Sequence, residues 1–377
     1  MVAEAINKIT KMSEDLLYQV AITFIEKVGP VKAKQLISYC GSVKAVFEAN
    51  KKSLLKIPSI GPRMAEHICN KTALRQAEEE LRFIEKAGIQ TFFYLDQKYP
   101  ERLKPFPDAP VMLYFKGNTT FNADRVIAIV GTRTPSKLGI ANCEELLEQI
   151  LPFQPLIVSG LAYGVDICAH RKCVDLGIPN IGVLGHGLQR IYPATHRGVA
   201  EKMIENGGLL TEFHSKTLPD REHFPMRNRI IAAMCDALIV IETNVKGGSV
   251  ISAKLANGYN KDVFAFPGRV NDTKSKGCNM LIKSHQASLI ETVNDLVYVM
   301  RWNKGEKPTF IQKQLFYDLG EDEKYIVDLL RQEESLHIDQ LMFATKKTNS
   351  EMVALLLEME FNGILKSLPG KHYMLII

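Results

Sequence analysis

No stretch of the 377-residue sequence approaches the ~18 consecutive apolar residues of a helical membrane span, and the longest apolar runs are strand-sized, such as Val126–Val130 and Ala237–Ile241. The chain is not expected to cross a bilayer. Glu4, Lys8, Lys11, Glu14 and Asp15 interrupt every apolar run at the N-terminus, so no secretory signal is expected. The seven cysteines are odd in number, scattered, and include no C-x-x-C, which fits reduced thiols in a cytoplasm rather than disulfides or a zinc cage. Cys168, His170 and Cys173 look metal-like in print. On a helix, however, Cys168 and Cys173 lie about 140° apart, so no shared metal is expected. The sequence also lacks G-x-x-x-x-G-K-[ST], and no G-x-G-x-x-G with a following acid succeeds the first strand, so neither a triphosphate nor a dinucleotide cofactor is called for. Ser159 has no G-x-S-x-G elbow around it, and His170, near Asp166, reads as a helix histidine rather than a base.

What is present is an ordinary globular balance, 24% charged and 46% hydrophobic, in a chain long enough for several cores. Charge is unevenly divided. Residues 14–76 carry +5, residues 105–304 carry +4, and residues 321–377 carry −4, so the first two regions can accept a polyanion and the third would repel one.

The first region, expected over 1–80, reads as short helices separated by glycine turns. Val28-Gly29-Pro30 is followed by Lys32 and Lys34, and Ile57 to Pro62 by Arg63. Each turn opens a helix whose unpaired N–H groups, with a nearby cation, suit phosphate. The pattern resembles a helix-hairpin-helix repeat, and two readings stay open: a DNA-backbone binder, or a small packing or protein-contact module.

The second region, 81–304, alternates unbroken apolar runs with amphipathic helices. The runs are Val126–Val130, Leu156–Ser159, Asn180–Leu184, Gly208–Thr211, Ala237–Ile241 and Asp262–Phe266. Between them lie helical stretches at Leu138–Ile150, Asp166–Leu176, His196–Glu205, Phe224–Cys235 and Ser249–Tyr259. This predicts an α/β domain, a Rossmann-like parallel sheet covered on both faces, whose ligand lies at the carboxyl ends of the strands. A connector, 305–320, leads to a final region, 321–377. Three helices (Lys324–Leu330, Ile338–Met342, Ser350–Phe361) and a two-stranded wing over Gly363–Leu375 predict a winged helix. Its third helix carries Glu351, Glu358 and Glu360 and no Lys or Arg, which favours contact with protein over DNA.

The strand-end loops hold the candidate binding residues. Gly131-Thr132-Arg133 follows the first run; Ser159 ends the second, with Gly160, Tyr163 and Gly164 after it; Gly247-Gly248-Ser249 follows the fifth; and Arg269 follows the sixth. Glycine lets backbone N–H groups approach an anion, and a following helix N-terminus adds partial positive charge. The densest feature is Phe224-Pro225-Met226-Arg227-Asn228-Arg229, where two guanidinium forks match phosphate and Phe224 and Tyr163 offer faces to an unpaired base. The competing reading of the arginines is ion pairing with Glu212 or Glu242. A nucleotide phosphoribohydrolase of similar fold is the enzymatic alternative. Val250, Ile251, Ser252, Ala253 and Lys254, after the Gly-Gly loop, supply no carboxylate for it.

Taken in order, Val126 to Arg133, Ser159 to Asp166 with Ala169-His170, Tyr192-Pro193, Gly207 to Glu212, Phe224 to Ile231, Gly247 to Ser249 and Val263 to Gly268 resemble the DNA processing protein A (DprA/Smf) family. Tyr99 to Leu103 and Leu113 to Gly117 are similar to it as well. The resemblance implies a non-enzymatic bacterial cytoplasmic protein that binds single-stranded DNA without sequence preference. It further implies a homodimer formed through the Rossmann-like domain that loads RecA during natural transformation. On that resemblance Arg133, Arg227 and Arg229 line the DNA pocket. Two segments depart from the family pattern: Ala194 and His196 follow Tyr192-Pro193, leaving Arg197 as the nearest cation, and Ser284-His285-Gln286-Ala287 replaces a usual Glu-Gly-Ala.

Overall fold

The computed structural model describes residues 15–302 and 320–375, apart from 334, 363, 369 and 370. Residues 1–14 of the expected first region, most of the expected connector, and residues 363, 369 and 370 of the expected wing lie outside those residues. Two compact units are present, divided near residue 305, and each stands by itself below.

In the first unit, Gly29-Pro30 opens helix α1 (Pro30–Cys40), which stops at Gly41 in the left-handed conformation. Helices α2 (Val43–Glu48) and α3 (Lys51–Leu54) follow, each capped by a side chain, Ser42 and Asn50 respectively. Gly61-Pro62 opens α4 (Pro62–Cys69). Both glycine-proline turns thus begin helices, since proline at the first position lacks only an N–H that would go unbonded anyway. The next helix, α5 (Thr72–Ala87), runs through the domain boundary expected at residue 80 and ends at Gly88.

Two strands that the apolar pattern did not reveal come next, β1 (Gln90–Phe93) and β2 (Met112–Gly117), paired antiparallel. Phe93, Val111, Met112 and Tyr114 belong to the same core as Leu36, Ile68 and Ala77 of the helices. The helical region therefore folds onto one edge of the sheet rather than around a core of its own.

Six further strands of the unit match the six apolar runs, β3 (Val126–Val130), β4 (Leu156–Ser159), β5 (Asn180–Val183), β6 (Gly207–Thr211), β7 (Ala237–Val240) and β8 (Asp262–Ala265), and a short exposed strand that no run announced, β9 (Ser288–Leu289), follows them. Alternating with them are α6 (Lys137–Ile150), α7 (Val165–Leu176), α8 (Arg197–Met203), α9 (His223–Met234), α10 (Gly248–Gly258), α11 (Lys276–Lys283) and α12 (Val293–Met300). The sheet order is β1-β2-β6-β5-β4-β3-β7-β8-β9, parallel from β6 to β9. Successive residues of β3 face opposite layers: Val126, Ala128 and Val130 pack with Ile230 and Ala253 of α9 and α10, whereas Ile127 and Ile129 pack with Leu146 of α6 and Ala169 of α7. Both faces are thus covered by helices, which is why these strands are apolar without alternation. From β3 the chain winds to β4 on one side and later to β7 on the other, so the topological switch point lies between the carboxyl ends of β3 and β7.

The second unit is a winged helix. Helices α13 (Glu321–Gln332), α14 (Ile338–Thr345) and α15 (Asn349–Phe361) pack Ile326, Leu341, Leu356 and Met359 into one core. A sheet of β10 (Leu336–His337), β12 (His372–Leu375) and β11 (Leu365–Leu368), in that order, completes it. Thr348 caps α15 reciprocally with Glu351, so one of the three acidic residues of that helix is a capping group.

Candidate nucleic-acid interface

A cleft of 720 Å³ opens at the switch point. Its walls are Gly131, Thr132 and Arg133 after β3, Ala162 and Asp166 after β4, Thr243, Asn244 and Gly247 to Ser249 after β7, and Arg221, Phe224, Arg227 and Asn228 around the start of α9. Tight backbone packing builds the floor. Gly164 (φ +83°) seats where a Cβ would lie 2.2 Å from the Thr132 carbonyl, and a Cβ on Gly131 would meet Val165 at 2.4 Å. The Thr132 N–H donates to the Glu242 carbonyl at 2.7 Å, and the Val165 N–H to the Thr132 carbonyl at 3.1 Å, which ties the three strand-end loops together. The first turn of α10 borders the cleft, and open space surrounds the Cβ position of Gly248. First-turn amides have no acceptor within their own helix, which suits an anion there.

The cations divide into two kinds. Arg133 and Arg221 are exposed on the cleft wall, and Arg133 lies 5.8 Å from the centroid of the Phe224 ring. Arg227 is 4% exposed, donates Nη1 to the Val183 carbonyl, and covers Gly160, where any Cβ would collide with its guanidinium at 2.0 Å. Burial pulls its pKa down to about 10, against the attraction of Asp166 and with the repulsion of Arg133. Asp166 is held above the usual carboxylate range by burial, which outweighs Arg227 and the Ala162 N–H. It is the one carboxylate among the described cleft-lining residues, and it sits on α7, not after the Gly-Gly loop.

Several expected site residues lie elsewhere. Arg229 does not line the cleft: its Nη2 donates to Glu212 in a pair whose side chains are 13% and 10% exposed, so it is turned inward onto an acid. Burial raises the Glu212 pKa against that attraction. Glu242, the other acid considered, instead accepts from the N–H and Oγ of Ser136, both at 2.7 Å. Ser159 is fully buried and donates to the Ile129 carbonyl at 2.6 Å, so its hydroxyl is committed to the sheet. Ser249 lines the cleft with its hydroxyl given to Thr243 at 2.7 Å. Arg197 and Arg269 are exposed and line neither the cleft nor the cavity beside it. Gly160 and Tyr163 line that smaller cavity, of 80 Å³, together with Tyr192, Phe224 and Arg227. Arg221 was absent from the expected site, although its place in the loop before Phe224-Pro225 was the available signal.

The sequence model of the family described as DNA recombination-mediator protein A matches residues 90–301, a SAM-like helix-hairpin-helix tandem matches 20–73, and the DprA winged helix domain matches 317–371. The chain is 29% identical to Protein Smf of Synechocystis over 94% of this chain and 98% of that one. It is 37% identical to DNA processing protein DprA of Streptococcus pneumoniae over 55% of this chain and 73% of that one. The X-ray structure of the Streptococcus pneumoniae DprA superposes with a TM-score of 0.67 at 29% identity, covering 75% of this chain and 97% of that one. DNA processing protein A of Helicobacter pylori, whose structure concerns a single-stranded DNA binding mode, superposes with a TM-score of 0.52 at 29% identity, covering 56% and 95%. With the fold, the switch-point cleft and a family match across more than half the sequence in agreement, the chain belongs to the DNA processing protein A (DprA/Smf) family.

Proposed function

We propose that this protein binds single-stranded DNA, without sequence preference, in the switch-point cleft, protects incoming strands and loads RecA recombinase on them in the cytoplasm during natural transformation. The observation that carries the reading is the placement of two exposed guanidiniums, Arg133 and Arg221, beside glycine loops and the Phe224 ring. Such a groove follows a phosphate backbone while bases stack on the rings, a mode that needs no particular sequence and no catalytic group. Arg227 acts here as a positioning residue that adds positive potential from beneath.

A homodimer through the Rossmann-like domain fits an apolar recess of 620 Å³ beside the short edge strand β9, bordered by Val270 (84% exposed), Ile282 and Leu289 (46% exposed). Fluorescence anisotropy with a labelled oligothymidine tests the DNA reading. Wild-type protein should bind with an affinity that falls as salt rises, and the Arg133→Ala/Arg221→Ala double variant should lose at least tenfold. Unchanged affinity in that variant would overturn the assignment. Light scattering of Leu289→Asp, which should be monomeric, checks the dimer, and RecA filament assembly on coated DNA checks the loading step.

A further inference from the structure

Three of the seven cysteines meet between α6 and α7. Cys143 of α6 and Cys173 of α7 are fully buried in the core layer that these helices share, whereas Cys168, one turn into α7, packs against that layer and stays partly exposed. Cys168 and Cys173 point away from each other around their helix. The fold pairs Cys168 across the helices instead, where the Cys143 S–H donates to the Cys168 sulfur.

That contact divides the chemistry of the two thiols. The hydrogen bond from Cys143, joined by Arg171 and Lys172, holds the Cys168 thiol below its usual range against burial and Glu144. The same bond, together with burial, keeps Cys143 protonated well above that range. The Cys168 N–H makes a helix bond to the Gly164 carbonyl at 3.1 Å, so the sulfur stands near the positive end of the α7 dipole. One accessible thiol with thiolate character therefore touches a second thiol that water does not reach, the arrangement of an oxidisable cysteine with its resolving partner.

We propose that Cys168 and Cys143 are a modification site for hydroperoxides, in which Cys168 is oxidised first and Cys143 resolves it to a disulfide between α6 and α7. In the first step the Cys168 sulfur attacks one oxygen of hydrogen peroxide. The O–O bond breaks, and the departing hydroxide takes the thiol proton as water, leaving a sulfenic acid. In the second step the Cys143 sulfur attacks the Cys168 sulfur. The S–O bond breaks, and hydroxide again leaves as water with the Cys143 proton. Two thiols and one peroxide thus give one disulfide and two waters, and a dithiol reverses the bond by exchange. The disulfide staples α6 to the helix whose residue Asp166 lines the cleft. The proposal does not depend on what the cleft binds.

The test treats the full-length, reduced protein with hydrogen peroxide at the dose that oxidises Cys69, alkylates the remaining thiols and reads peptides by mass spectrometry. Wild type should give a linked Cys143–Cys168 peptide that dithiothreitol removes. Cys143→Ala has no resolving thiol and should accumulate a dimedone adduct at Cys168, and Cys168→Ala should give neither the linked peptide nor an adduct at Cys143. Cys69 is more exposed than Cys168, yet Cys168 should react roughly tenfold faster. Absence of the linked peptide from wild type, or of the Cys168 adduct from folded Cys143→Ala, overturns the site, as does faster oxidation of Cys69. The wild-type measurement needs no substitution and decides the matter even if a variant fails to fold.

Discussion

Removing Arg229 and removing Arg133 should damage different properties of the protein. The Arg229–Glu212 pair is almost fully enclosed, at 13% and 10% exposure. Arg229→Ala leaves a buried carboxylate without its counter-charge, a change that costs about 3–5 kcal/mol. For a unit of this size that corresponds to a fall in Tm of roughly 6 °C or more. The cost should lessen in mild acid, because Glu212 already has a raised pKa and, without Arg229, takes a proton more readily. Arg133 is exposed, and its replacement should alter stability by about 0.5 kcal/mol at most. It should instead weaken oligothymidine binding by about 1.5–3 kcal/mol and flatten the log–log salt dependence by about 0.7. Differential scanning calorimetry and anisotropy titrations at several salt concentrations measure both. The reasoning fails if Arg229→Ala melts with wild type and loses as much affinity as Arg133→Ala.

Other outcomes follow from the same geometry. Gly164→Ala, at φ +83° and 2.2 Å from the Thr132 carbonyl, should destabilise by more than about 1 kcal/mol and weaken DNA binding by displacing the Arg133 loop. Gly248→Ala, in open space at a helix start, should leave thermal stability unchanged or slightly raised by up to about 1 kcal/mol. Burial holds the imidazoles of His170 and His214 down to about 4. The unfolded chain therefore binds protons that the folded one does not, and stability present above pH ~6.5 is lost as pH falls toward 4, on the order of 3 kcal/mol for each ring. Asp166 and Glu212, with raised pKa values, oppose this in the acid range by taking protons in the folded state. Tm measured from pH 7 to 4.5 should fall; a flat profile would refute the account of the two histidines.

The parallel strands were legible because a strand buried on both faces must be apolar throughout, and Val126–Val130 or Ala237–Val240 have no other economical reading. Strands β1 and β2 were not, since Gln90-Thr91 and Lys116-Gly117 dilute short runs whose pairing is antiparallel at the sheet edge. The inward turn of Arg229 had a signal that went unused. Residues two apart on a helix lie about 200° apart, so Arg227 and Arg229 on α9 cannot address one ligand together. The partner of Arg229 was less legible, because Glu212 follows β6 and only tertiary folding brings it near. Ser159 illustrates the same limit: a hydroxyl at a strand end serves a ligand or a neighbouring carbonyl according to packing that one sequence position does not encode.

The joint between α5 and the sheet edge bears on how the protein can be shortened. Glu80 accepts the N–H and Oγ of Ser215 at 2.8 and 2.6 Å, Thr23 meets His214 at 2.8 Å, and Phe93, Met112 and Tyr114 rest under the helices. Trimming the chain ahead of residue 81 would strip the roof from those apolar undersides and unfasten the segment that leads to Arg221. A fragment beginning there should come out of solution rather than behave as a free-standing sheet, so the amino-terminal helices are a keel of the fold and not a bead on a string.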